Sequence, residues 1–312
     1  MRLQFSYGID EAITPIDGRN KNKLIALTRF LSDLALDKYR IMIEVEYLKK
    51  LSQSKVVRRL TVVEKKELEK LHKDFKSSDY QEIRTIELET NHEMKAVEKF
   101  IQRRLVKTSL RDVAGMIHFG LTTDDVNNTA YALMIKNSLK EVIIPHLALI
   151  VRILHEKAKS YKNIPMLSRT HGQPAIPTTV GKEFLIFYKR LHEELEILKK
   201  LENSAKLTGN VGNLNAHKFL FHKINWLKFS QEFIESFNLK PDLVTTQIEP
   251  YDSLIRLFQT LGRINSILVG LCQDFWIYIS FGYFKQKVIQ KEVGSTALPH
   301  KVNPIYFEGA EG

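Results

Sequence analysis

Close to its C-terminal end the chain reads GSTALPHKVNP, from Gly294 to Pro304. A serine hydroxyl, a lysine ammonium and an asparagine amide follow one another in a single short loop at Ser295, Lys301 and Asn303. Glycine ahead of the serine permits backbone angles that let such a loop close over a ligand. If the chain turns into a helix after Pro299, backbone N–H groups and Lys301 could hold an anion beside the hydroxyl. A plain linking loop is the alternative. No G-x-S-x-G elbow is present, which excludes the α/β-hydrolase arrangement.

Two further stretches carry chemistry-bearing residues outside any apolar stripe. His171 lies between Thr170 and Gly172–Gln173–Pro174. An unperturbed imidazole exchanges protons near pH 6.5, so His171 suits proton transfer as well as a structural turn. Thr122–Thr123–Asp124–Asp125 makes a helix start, where threonine or aspartate caps the first turn and free N–H groups can bind an anion. Capping alone and anion binding both stay open on these residues. His92, His118, His217 and His300 have no zinc-site spacing such as H-E-x-x-H, and no metal is expected.

Composition bounds what these groups can belong to. With 312 residues, 44% hydrophobic and 27% charged, the chain is expected to be a soluble globular protein of one large or two modest domains. No apolar run approaches the roughly 20 residues that span a bilayer, and MRLQFSYGIDEAITPIDGR lacks the basic-then-apolar pattern of a signal peptide. Cys272 is the only cysteine, which excludes an internal disulfide and reads as a buried thiol in an apolar helix. A cytoplasmic protein is therefore expected. The formal charge of +11 is spread through runs such as KKLSQSKVVRR and VEKKELEK and mixed with glutamate. Without zinc-finger spacing, a glycine-rich phosphate loop or RNA-binding aromatics, most of this charge reads as a solvated face, with a nucleic-acid role as the alternative.

The elements that must position these groups are helices. Glycine and proline number only 14 and 9 and cluster at joints between helical patterns. From about Pro250 to Gln290, Leu254, Leu257, Leu261, Ile264, Leu268, Leu271, Phe275 and Tyr278 recur every 3 or 4 residues. That is the narrow seam of rods packed nearly parallel. Phe184, Tyr188, Leu191, Leu195 and Leu198 repeat the rhythm, and a further helix runs from Asp124 towards Lys159 with a disturbance at Pro145. Ile255, Phe258, Ile267, Trp276, Ile277 and Phe281 lie off the long seam, which points to burial between subunits, a fully buried helix inside one large monomeric bundle being the alternative. Helices are also expected over Asn22–Leu51, Val63–Phe75 and His92–Val106, with strands confined to short runs such as KVVRRLTVV. The polar segment TSLRDVAG marks a boundary, giving an N-terminal helical domain (1–111) and a central bundle domain (112–312) of an all-α protein.

Taken together, PIDGR, TNHEMKAVE, SRTHGQPAIPTTVGKE, VGNLNAH, TTQIEP and the opening loop resemble the fumarase/aspartase superfamily and, within it, the bacterial adenylosuccinate lyase family. The resemblance covers essentially the whole chain. It implies an all-α long-helix bundle that assembles as a homotetramer, with each active site built from joints of three subunits. It also implies anti β-elimination of fumarate from adenylosuccinate, giving AMP, and from the succinyl-carboxamide ribotide SAICAR, giving AICAR. By the same resemblance Ser295 is the general base and His171 the general acid. Arg19 and Asn20 lie at the phosphate end, and Asn91, His92 and Glu93 near the substrate. Thr122 and Thr123 supply the anion-binding helix start and Gln247 a polar contact. Thr296, Lys301 and Asn303 complete the signature loop. The expected partner is a polyanionic purine nucleotide or ribotide, with no cofactor, no nucleic acid and no membrane. Thr296, Leu298, Asn20, Tyr306 and Gly309 depart from the residues the family usually carries there. The family also continues for roughly another third beyond the signature loop. The chain is thus expected to be a fragment or a truncated product, and an inactive helical oligomer is the competing expectation.

Overall fold

A computed structural model describes residues 12–287, Leu298 and 301–312. Ser295 and Thr296 lie outside the described residues. In chain order the helices of the first stretch are α1 (Lys21–Leu31), α2 (Asp33–Gln53), α3 (Val62–Lys73), α4 (Ser77–Thr90), α5 (Glu93–Leu105) and α6 (Thr123–Ser138). Then come α7 (Ile144–Ser160), a hairpin of β1 (Pro165–Thr170) and β2 (Gln173–Thr179), and α8 (Val180–Lys200). The chain continues through β3 (Ser204–Ala205), α9 (Asn215–Leu220), α10 (Trp226–Ser236), β4 (Lys240–Pro241), α11 (Asp252–Ser280) and α12 (Ile305–Glu311). The all-α expectation holds; the hairpin and the two-residue β3–β4 pair are the exceptions.

The chain divides into two compact units. One comprises the described residues up to Ile143 together with Glu202–Leu254, and the other Ile144–Leu201 with the described residues from Ile255 onward. In the first unit α2 is buried almost all round. Ile41, Ile43, Val45, Tyr47, Leu48 and Leu51 are sealed from solvent, and each such side chain contributes about 1.5–3 kcal/mol of hydrophobic stabilisation. The expected single helix over Asn22–Leu51 is two helices, because Ser32 interrupts it. Its backbone is extended and its hydroxyl accepts from the Ala35 N–H, which caps α2. The run KVVRRLTVV forms no strand: Thr61 and Glu64 cap each other reciprocally and start α3 inside it.

Two charged groups fix the start of α6. Asp125 and Lys206 are both fully buried and lie 3.0 Å apart. Asp125 also accepts from the Thr122 N–H at 2.9 Å, the Thr208 N–H at 3.0 Å and the Gly209 N–H at 3.3 Å. The Lys206 ammonium has one further acceptor, the Gly209 carbonyl at 3.3 Å. Opposite charge and four hydrogen bonds offset the desolvation of the carboxylate, so one side chain binds the loop after β3 to the beginning of α6.

The second unit is built on rods. α7 and α8 pack along their lengths, and Gly181 brings the start of α8 against the end of α7. A Cβ at Gly181 would lie 2.4 Å from the Ala158 carbonyl and 2.6 Å from Lys162 backbone atoms. α11 runs antiparallel to α8: Phe184 meets Phe275 at 4.8 Å, and Arg263 holds Glu194 at 2.8 Å. The disturbance expected at Pro145 is a π-helical segment, Leu139–Ile143, after which the proline sits in the first turn of α7, where its missing N–H is harmless. α11 ends at Ser280, ten residues short of the expectation, because Gly282 has φ +73 and its N–H returns to the Ile279 carbonyl.

The seam is partly as expected. Leu254, Leu257, Ile264 and Phe275 are buried, whereas Leu261, Leu268, Leu271 and Tyr278 are only partly covered. Ile267, read as lying off the seam, is buried. Ile255, Phe258, Trp276, Ile277 and Phe281 remain exposed in the single chain.

Gly181→Ala should destabilise the protein by about 1–3 kcal/mol, since backbone atoms cannot yield to the added methyl. Gly115→Ala, where the methyl meets nothing within 4 Å, should be close to neutral; paired urea denaturation curves make the comparison. Asp125→Ala should cost more than Lys206→Met, by the same measurement. The first strands a buried ammonium on one carbonyl, whereas the second leaves Asp125 with three N–H donors.

Candidate functional site

Within the first unit, the candidate residues cluster at helix ends. Thr122 is the N-cap of α6 and Thr123 its first residue. The two carboxylates that follow are both committed inward. Asp125 is bound as above, and Asp124 accepts the Glu249 N–H and the Tyr251 hydroxyl, each at 2.9 Å. Neither therefore competes with a ligand for the partial positive charge of the helix start, and the two half-buried threonine hydroxyls are left beside it. Gln247 joins them from the segment before α11. Its side-chain N–H₂ donates to the Asn210 side-chain oxygen Oδ1 at 3.1 Å and to the Thr122 hydroxyl at 3.5 Å. Thr208 and Thr245 share a 2.7 Å hydroxyl contact that brings the same two loops together.

Asn91, His92 and Glu93 form the joint between α4 and α5. Asn91 closes α4 in the left-handed region with φ 49, a conformation asparagine tolerates better than most residues. His92 caps α5: its Nδ1 accepts from the Lys95 N–H at 3.2 Å, which places the ring proton on Nε2. The Glu93 carboxylate lies 2.8 Å from the buried Arg40 guanidinium. Burial would raise its pKa, but Arg40 outweighs burial and holds the group below the usual carboxylate range. Arg40 also donates to Asn127 on α6 at 2.9 Å, so the α4–α5 joint is tied to α6 through one side chain. Glu93 is thus engaged with the protein's own cation. Arg19 is exposed in the turn leading into α1, and Asn20 is the N-cap of that helix without a side-chain capping bond.

Sequence reasoning passed over a second anchored imidazole in this unit. His118, with φ 63, has its N–H 2.9 Å from the fully buried Glu44 and its Nδ1 2.5 Å from the other carboxylate oxygen. Burial alone would depress the His118 pKa, but the charge and hydrogen bond of Glu44 outweigh it and raise the value. One residue on, the Phe119 carbonyl accepts from the Tyr47 hydroxyl at 2.8 Å. Tyr47 therefore accepts from the Nε2–H of His217 at 2.7 Å, and burial pushes that neutral ring down to about 4. Glu44, Arg40 and Lys206 had no sequence signal. No neighbouring residue marks any of the three as buried, and only the fold brings its partner.

In the second unit His171 sits at the tip of the β1–β2 hairpin. Thr170 pairs with Gln173, leaving His171 and Gly172 as a two-residue turn with φ 53 and 74. Two successive left-handed residues are the requirement of a type I′ turn, where asparagine and glycine are usual and an imidazole is not. Pro174 and Pro177 are tolerated because each strand has only one neighbour. A register shift between Leu167 and Arg169 bulges Ser168, whose hydroxyl bonds the Ile176 carbonyl. Lys301 and Asn303 precede α12; the Lys301 N–H bonds the Leu298 carbonyl, and Asn303 lines a cavity of about 400 Å³ with Phe275, Ile279 and Phe307.

Among the described residues no His, Cys, Asp and Glu side chains form a metal-binding group, and no helix is long and apolar enough to cross a membrane.

Comparison with known proteins adds a family. The sequence profile of a family described as Lyase matches residues 28–312. An adenylosuccinate lyase of Dictyostelium discoideum is 46% identical over 312 residues, covering 96% of this chain and 67% of that protein. Adenylosuccinate lyases of Legionella pneumophila and Escherichia coli are 43% and 39% identical over 305 residues, with the same 96% and 67% coverage. The chain thus spans about two thirds of the length of these relatives. Among solved structures, the 3-carboxy-cis,cis-muconate lactonizing enzyme of Pseudomonas putida superposes with a TM-score of 0.74 at 18% identity, covering 92% of this chain and 63% of that one. A fumarate lyase from Mesorhizobium gives 0.67 at 17% identity, covering 83% and 57%. These two likenesses speak for the fold alone. Joined to the profile and the relatives, they leave no ambiguity of kinship: the chain belongs to the lyase family of the fumarase/aspartase type, among the adenylosuccinate lyases.

Proposed function

We propose that this protein cleaves adenylosuccinate to AMP and fumarate, and SAICAR to AICAR and fumarate, as a cytoplasmic enzyme of purine nucleotide biosynthesis. The observation that carries the reading is 39–46% identity to adenylosuccinate lyases over 96% of the chain. The local geometry supports it in two places. An imidazole is held out on a fixed two-residue turn, and two threonine hydroxyls flank a helix start whose carboxylates face inward.

In the proposed reaction Ser295 takes the proton from the carbon next to the substrate carboxylate. The electron pair of that C–H bond passes through a dianionic aci-carboxylate and then forms the double bond of fumarate. The C–N bond breaks, and His171 gives a proton to the departing nitrogen. Lys301 and Asn303 are suited to stabilising the aci-carboxylate, as fixed positive charge and N–H donors do when they meet charge developing in the transition state. Serine is a poor base in water and needs a dry pocket with a nearby cation to favour its alkoxide. Thr122, Thr123 and Gln247 would receive carboxylate or phosphate oxygens at the α6 start, and Arg19, Asn20, Asn91, His92 and Thr296 further polar groups of the nucleotide. Glu93, bound to Arg40, would act by setting the position of His92. The reading requires no metal or organic cofactor.

The assembly proposed is a homotetramer. Ile255, Phe258, Trp276 and Ile277 on α11, with Leu185 and Ile186 on α8, are exposed in one chain and form apolar faces of the kind that subunits bury.

Incubating the purified chain with adenylosuccinate and following AMP and fumarate tests the function. His171→Ala and Ser295→Ala should each lower kcat by about 10²–10⁴-fold while leaving the circular dichroism spectrum unchanged. A folded oligomer without turnover, or turnover of argininosuccinate instead, would defeat the proposal.

A further inference from the structure

Arg169 lies two residues before His171 on β1, and among the described residues its guanidinium makes three contacts, all within the second unit. One terminal N–H donates to the Gly172 carbonyl at 3.0 Å, across the turn that carries His171. The inner N–H donates to the Tyr283 hydroxyl oxygen at 3.3 Å. The planar group lies over the Phe281 ring, 4.6 Å from its centre. Tyr283 in turn donates its proton to the Leu167 carbonyl at 3.2 Å. The loop thus closes from Leu167 through Tyr283 and Arg169 to Gly172, spanning one strand and the turn.

What the hairpin is tied to is rigid. Phe281, Gly282 and Tyr283 form the C-terminal cap of α11. The Phe281 N–H bonds the Ile277 carbonyl at 2.9 Å, the Gly282 N–H the Ile279 carbonyl at 3.0 Å and the Tyr283 N–H the Tyr278 carbonyl at 2.9 Å. Tyr278 itself is anchored to α8 through Glu183 at 2.6 Å. A two-stranded hairpin has little stability by itself, and its tip would otherwise sample many orientations. Lysine could not replace Arg169 here, because its ammonium has no planar face to lie on the Phe281 ring and no rigid fork that fixes the directions of the two N–H donors.

We propose that Arg169 is a positioning residue for His171: it locks the His171–Gly172 turn onto the cap of α11 so that the imidazole is held at a fixed height and direction. The proposal rests on the reading of His171 as the general acid. A displacement of about 1 Å at a reacting group can lower a rate 10²-fold, so a loosened turn should be felt in the chemical step rather than in substrate affinity.

The test compares wild type with Arg169→Gln, Arg169→Lys and Tyr283→Phe by two readouts. Hydrogen–deuterium exchange of peptides within 165–179 should be faster in Arg169→Gln, with the rest of the chain unchanged. Steady-state kinetics on adenylosuccinate should show kcat lowered about tenfold or more with KM within about twofold. Arg169→Lys should fall near Arg169→Gln, and Tyr283→Phe, which keeps the Phe281 stack and the Gly172 bond, between it and wild type. Unchanged exchange in Arg169→Gln overturns the lock. Faster exchange with unaltered kcat, or with KM and thermal midpoint moving together with kcat, overturns the positioning role. If wild type itself leaves adenylosuccinate intact, the proposed activity fails, and with it the catalytic purpose of the lock; the exchange data then decide only whether Arg169 holds the turn.

Discussion

The Asp125 carboxylate is the constraint on which the first unit turns. It is sealed from water, neutralised by Lys206 and saturated by backbone donors from two separate segments. A buried charge of this kind tolerates few arrangements, because every lost donor exposes a large desolvation penalty. Its four partners therefore fix the start of α6 and the loop at 206–209 to within hydrogen-bond tolerance. Gln247 reaches Thr122 from a third segment, which is held to the 206–210 loop by the Thr208–Thr245 and Gln247–Asn210 contacts. Asp124 extends the same logic to the segment 249–251, so three stretches far apart in sequence are assembled at one helix end by two adjacent carboxylates.

The helices were legible because apolar spacing at 3.5–3.6 residues is a local signal and burial follows it. α8 and α11 carry it plainly, and their pairing through Phe184 and Phe275 is what the spacing implies. The break at Ser32 and the start of α3 at Thr61 turned on capping chemistry that a continuous apolar pattern hides. α4, which lies between two expected helices, has only Ile83 and Ile86 fully buried, too sparse a stripe to stand out. The hairpin at 165–179 was missed for a different reason. Its prolines argue against strand, and its turn carries His–Gly in place of the asparagine–glycine pair that announces such turns.

The site was legible in its polar joints and not in its supports. Thr122, His92 and His171 stand out because they occur where no apolar pattern accounts for them. Arg40, Glu44 and Lys206 carry no local mark of burial, and their roles depend on partners 53, 74 and 81 residues away at Glu93, His118 and Asp125. Nothing local distinguishes a charged residue that will be buried and paired from one that will face water. The exposed apolar residues of α11 show the opposite case: their excess over one seam is visible in the sequence, and it is still unmet in a single chain.

The hairpin that presents His171 sets its side chain by counting. With Thr170 opposite Gln173, the connection holds two residues and no more. Inserting or deleting one residue there would change the parity of the strand, and the imidazole would face the other side of the ribbon. Lineages that keep the chemistry should therefore keep the length of the connection between β1 and β2 untouched, and keep Arg169 on β1, while the other positions of the two strands vary.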